Sequence, residues 1–96
     1  MKHYAIDLRI GGHGLPEALK KELENAECKS TPLSSKIEAY LCRSETVILV
    51  NSIDDSILVD ILNPPPELLD RLLKALPPAQ SIVRVLERGF SLEELV

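Results

Sequence analysis

The sequence predicts an α+β domain, a small antiparallel β-sheet with helices packed on one face. Three observations carry that expectation. Residues 3–10, from His3 to Ile10, alternate apolar and polar side chains, the period of a half-buried strand. Leu15, Leu19, Leu23 and Ala26 recur at helical spacing, with lysines and glutamates between them. The runs Lys36–Arg43 and Thr46–Ile53 are rich in β-branched and apolar residues and are parted by Ser44 and Glu45, the pattern of an antiparallel hairpin. At 96 residues the chain is expected to be a single domain over 1–96.

The first strand places Tyr4, Ile6, Leu8 and Ile10 on one face and His3, Ala5, Asp7 and Arg9 on the other. Gly-Gly-His-Gly at 11–14 interrupts it, and Pro16 suits the first turn of the helix that follows. Residues 28–35, with their Ser, Thr and Pro, read as a loop. In the hairpin, Ile37, Ala39 and Leu41 are expected to face inward.

Residues 56–62, Ser-Ile-Leu-Val-Asp-Ile-Leu, admit two readings. A strand turns Ile57, Val59 and Ile61 inward and leaves Leu58 and Leu62 wet. A helix gathers Ile57, Leu58, Ile61 and Leu62 into one stripe and misplaces only Val59. Asp54 or Asp55 suits the start of that helix, where free N–H groups and the dipole favour an acid. Against it, isoleucine and valine favour strands. The count favours the helix narrowly.

Pro64, Pro65 and Pro66 cannot sit inside a helix, so a new helix begins there, capped by Asn63. It runs through Leu68, Leu69, Leu72, Leu73 and Leu76 until Pro77 and Pro78 end it. Residues 79–89 read as a helix closed by Gly89, with a short strand as the alternative. Ser91 and Glu94, at capping-box spacing, suggest one terminal turn. The expected order is a β-α-β-β-α core plus a C-terminal extension.

Composition excludes several functions. The formal net charge is −4, the wrong sign for a chain that grips a phosphate backbone unaided. Tyr4, Tyr40 and Phe90 are the only aromatics, too few for base-stacking platforms. Cys28 and Cys42 form no CxxC and have no nearby histidine pair, so they are not a zinc site. They read as small semi-buried thiols, with a bridge between them left open. The N-terminus carries charges and alternates, unlike a signal peptide, and no apolar run approaches the ~20 residues that span a bilayer. A soluble, cytoplasmic protein is expected.

No catalytic, cofactor-binding or metal-binding residues emerge. The glycine-rich turn lacks both the dinucleotide pattern and the phosphate-loop ending, and reads as a plain strand-to-helix connection. His13 is the best-placed general base, yet no nucleophile or carboxylate is tied to it by a motif. His3 reads as an exposed strand residue. Asp54, Asp55 and Asp60 do not have the spacing of a calcium loop. Two other features point to a protein partner: the leucine stripe from Leu68 to Leu76, and the unpaired edges that a small sheet exposes.

The run from Ile37 to Asn63 resembles the small dimerisation subunit of the KEOPS complex, the Pcc-type family. It offers a hairpin, then Asp54-Asp55-Ser56, then an apolar segment ending at Asn63, in the stretch Val-Ile-Leu-Val-Asn-Ser-Ile-Asp-Asp-Ser-Ile-Leu-Val-Asp-Ile-Leu-Asn. Pro64–Pro66 interrupts what would be the family's continuous second helix, and Ser34, Ser35 and Lys36 stand where the family often has arginine. The resemblance implies that 56–62 is helical. It implies a non-catalytic subunit that forms a homodimer or pairs with a paralogue, and whose helices hold the catalytic ATP-binding subunit. That complex installs threonylcarbamoyl on a tRNA adenosine, so nucleic acid would be met only indirectly. The implied partner-binding residues are Ile57, Leu58, Ile61 and Leu62, extended to Leu69, Leu72, Leu73 and Leu76. The alternative expectation is a protein-binding α+β module of ferredoxin-like layout, in which 56–62 or 81–87 adds a strand.

Overall fold

A computed structural model describes residues 2–9, 15–43, 45–77 and the backbone of 81–86. The elements are β1 (His3–Leu8), α1 (Glu17–Asn25), β2 (Lys29–Pro32), β3 (Ile37–Leu41), β4 (Val47–Ile53), β5 (Ser56–Leu62), α2 (Pro66–Lys74) and β6 (Ser81–Leu86). The strands make one six-stranded sheet in the order β2-β3-β4-β5-β1-β6. Every neighbouring pair is antiparallel. The α+β class is therefore as expected, but strands dominate and the β-α-β-β-α order is replaced. β1 sits between β5 and β6, so the unit joined by α2 brackets the strand that precedes α1. That interleaving of two β-α-β units is the ferredoxin-like layout, here widened by the β2–β3 hairpin.

One face of the sheet carries the core, and the register shows why. Ile48, Ile61 and Tyr4 lie in one row across β4, β5 and β1; Val50, Val59 and Ile6 form the next; Ser52, Ile57 and Leu8 the third. The apolar residues of these rows are all buried. α1 adds Leu19 and Leu23, α2 adds Leu68 and Leu72, and all join one cluster with Leu15 and Tyr40. Both helices are amphipathic because their leucines recur three to four positions apart, so a single stripe meets the sheet. Each such side chain contributes about 1.5–3 kcal/mol when fully buried.

Residues 56–62 form β5, not a helix. The tie is broken by turn chemistry and by partners on both sides. Asp54 adopts φ 50°, and with Asp55 it makes a two-residue hairpin turn between the paired residues Ile53 and Ser56. The aspartates thus reverse the chain and do not cap a helix. β5 is then flanked by β4 and β1, and Ile57, Val59 and Ile61 are all buried. Residues 29–32, expected as loop, form the edge strand β2, whose four side chains are all exposed. Tyr40, not Leu41, faces the core, since Tyr40 is in register with Ile48. Ile37 and Leu41 share the opposite face with the buried Ala39.

Pro66 opens α2, where no N–H is required, and the cap position is Pro65. Asn63 adopts φ 54° and ends β5 instead of capping the helix. Residues 81–86 are a strand, as the alternative reading had it. His13, Gly89, Ser91 and Glu94 lie outside the described residues.

The turn end of the β3–β4 hairpin is tied to the end of β5 through Thr46, a buried polar side chain. Its hydroxyl donates to the Asn63 carbonyl at 2.9 Å, while the Asn63 N–H donates to the Lys2 carbonyl at 2.7 Å. Thr46→Val keeps the shape but leaves that carbonyl without its donor. The expected loss is about 1–2 kcal/mol of unfolding free energy, read from urea melts. Cys28 and Cys42, on either side of the β2–β3 ladder, are joined by a disulfide with their Cα atoms 4.1 Å apart. The ladder itself brings them together: Lys29 pairs with Leu41, so the residues just outside that pair stand opposite each other.

Candidate interaction surface

The second face of the sheet carries no helix among the described residues, and it is apolar over its central strands. Side chains alternate, so the residues opposite the core are fixed by register: Ile37, Ala39 and Leu41 on β3, Val47, Leu49, Asn51 and Ile53 on β4, Ser56, Leu58, Asp60 and Leu62 on β5, apolar in the majority. Leu41 is 52% exposed, Ile53 42% and Leu58 36%. Ile37, Val47, Leu49 and Leu62 are half-buried. A contiguous apolar patch of this kind on a sheet is not the polar outer face that alternation normally gives.

Asp60 lies within the patch, between Leu58 and Leu62 and opposite Leu49, and Asp7 on β1 borders it. Asp60 Oδ1 accepts a hydrogen bond from His3 Nε2 at 2.7 Å. Asp7, two residues from Ala5 on the same face, lies 3.8 Å from the Arg9 guanidinium. His3 is thus engaged with Asp60 and mostly covered, in contrast to the exposed strand residue expected.

The eight residues named as partner-binding do not form one surface. Ile57, Ile61 and Leu72 are in the core, and Leu69 and Leu76 pack against it. Leu58 and Leu62 belong to the open face on the other side of the sheet, and Leu73 is exposed on α2. The residues missed are Ile37, Leu41, Val47, Leu49 and Ile53. Their signal was present: β4 reads Val-Ile-Leu-Val with no polar alternate, which is the mark of a strand covered on both faces.

A polar cleft lies where the β2–β3 hairpin extends past α1. It encloses about 370 Å³ and is lined by Lys20, Ser34, Lys36, Glu38 and Ser52. Tyr40 stands beside it. Burial pushes the Tyr40 hydroxyl well above its ordinary pKa, helped by its hydrogen bond to Glu38 and by the charges of Glu38 and Glu24. The phenol stays protonated and serves as a structural donor. Among the described residues no three His, Cys, Asp or Glu side chains are grouped to hold a metal ion. No helix among them is long and apolar enough to cross a membrane. No known family model matches the chain, and no curated protein matches it significantly.

Proposed function

We propose that this protein is a non-catalytic interaction subunit that pairs with a second copy of itself through the open sheet face. The observation that carries this is the apolar patch from Ile37 and Leu41 through Leu49 to Leu58 and Leu62. The three apolar strands β3, β4 and β5, about 4.8 Å apart and roughly six residues long, present about 300 Å² in projection. Two such faces together supply about 600 Å² of apolar centre, and a stable interface of at least about 1,200 Å² draws its polar rim from the strands beside them. Sheets packed face to face interdigitate alternate side chains, which this patch supplies on three adjacent strands. A two-fold pairing needs one self-complementary surface only.

The reading that gains most support is the protein-binding α+β module. The KEOPS-type resemblance would place the docking residues on a helix at 56–62, and the chain has β5 there. Membership of a KEOPS-like tRNA-modifying complex therefore has less behind it, and co-purification of that complex's catalytic subunit from the native host would restore it.

Sedimentation equilibrium tests the pairing. The native chain is expected to be a dimer at tens of micromolar, and Leu49→Lys to raise its dissociation constant at least tenfold by setting a long charged side chain in the middle of the apolar contact. The far-ultraviolet circular dichroism of the variant should match that of the native chain. A native chain that stays monomeric to about 1 mM, or a Leu49→Lys variant that pairs as well as the native one, overturns the proposal.

A further inference from the structure

We propose that the Cys28–Cys42 disulfide is a releasable clip on the edge strand β2, and that its reduction uncovers the backbone edge of β3. β2 has little else to hold it. Its four side chains, Lys29, Ser30, Thr31 and Pro32, are all exposed, so it brings no apolar burial to the fold. Among the described residues it is fastened by its ladder to β3, by the turn bonds from the Leu33 and Ser34 N–H groups to the Ile37 carbonyl, by the Cys28 N–H bond to the Leu23 carbonyl, and by the disulfide at its first end. Elements of that kind occupy the low end of local stability.

β2 also does something for the sheet that β3 does not do for itself. A sheet edge with free N–H and C=O groups invites another chain to add a strand. β2 is short, carries Lys29, and ends in Pro32, which has no N–H to offer. Beneath it β3 reads Ile37-Glu38-Ala39-Tyr40-Leu41, with no proline and only one charge. With β2 detached, β3 becomes the edge, and an extended segment of another chain is the partner that fits it.

The two cysteines are half-buried against the core, and the bond is approached from the Cys42 side. Cys42 lines a surface cleft of about 340 Å³ together with Lys29, Arg43 and Glu27. Lys29 is a cation there, which favours an incoming thiolate and stabilises the departing one, while Arg43 is ion-paired with Glu27. A dithiol reductant supplies the electrons. Its thiolate attacks one sulfur and forms a mixed disulfide as the other sulfur leaves. Its second thiol then closes the reductant's own disulfide and frees the remaining cysteine. Two electrons and two protons pass to Cys28 and Cys42, and the reductant is oxidised.

Amide hydrogen exchange read by NMR tests the clip, with the chain oxidised, reduced by dithiothreitol, and as the Cys28→Ser/Cys42→Ser variant. In the reduced chain and in the variant, the amides that pair β2 with β3 are expected to exchange within about tenfold of the unfolded rate. The amides pairing β4, β5 and β1 should keep protection of about a thousandfold or more in the same samples. Persistent protection of the β2–β3 ladder after reduction overturns the proposal. So does a collapse of protection across all strands together, which makes the bond a staple for the whole fold.

Discussion

Ile61→Ala is expected to lower the free energy of unfolding by about 3–4 kcal/mol. Ile61 is 1% exposed and stands in register between Ile48 and Tyr4, under the leucines of both helices. Truncation removes three methyl or methylene groups and leaves a space that flanking strands, hydrogen-bonded on both sides, cannot close. Ile57→Ala should behave alike, since Ile57 is equally buried beside Leu8. Leu58→Thr, one position on, should change the monomer's stability by less than about 1 kcal/mol, because its side chain is on the open face. Urea melts of the three variants at one low protein concentration make the comparison. A helix over 56–62 would make Ile57, Leu58 and Ile61 equally sensitive, so a large loss at Leu58 would sink the strand assignment.

The second large effect is expected from the disulfide. Removing it in the Cys28→Ser/Cys42→Ser variant should destabilise the native chain by about 3 kcal/mol, the loop-closure value for a ring of about fifteen residues. The sequence separation of the two cysteines is 14. The stabilisation acts on the unfolded chain, which the bond keeps from opening fully. Urea melts of the native chain with and without dithiothreitol should reproduce the difference between the native chain and the variant. A difference below about 0.5 kcal/mol would mean that the closed ring adds no stability.

Much of this fold is legible along the chain. β1 and α1 follow directly from a period of two and then a period near four. The β3–β4 hairpin follows from two β-rich runs. The failure at 56–62 has a specific cause. Counting Leu58 and Leu62 as misplaced assumes that the far side of the sheet is wet and polar. That side is itself apolar, so a strand has no misplaced residue there. The same assumption hid the candidate surface, because Val47, Leu49 and Ile53 were read only as strand formers. β2 was hidden for another reason: Lys29, Ser30, Thr31 and Pro32 have no alternation, and the strand exists through pairing with β3 and the bond at Cys28. No local signal encodes that. Tyr40 shows the limit on facing. The hairpin's inward side is set by its register with Ile48 and Val50, and the sequence of β3 alone, apolar at 37, 39 and 41, points the other way.

The placement of β1 governs how this chain must be made. Among the described strands β1 is translated before the others, and its two neighbours, β5 and β6, are translated after the rest. Until residue 62 emerges, β1 and the leucines of α1 have no finished surface to rest on, while β2, β3 and β4 can already meander. Nascent copies therefore carry uncovered strands until β5 and β6 emerge, the stage at which holdase chaperones act. Final closure of this sheet waits on β1 meeting β5 and β6, far along the chain, and such long-range closure slows folding.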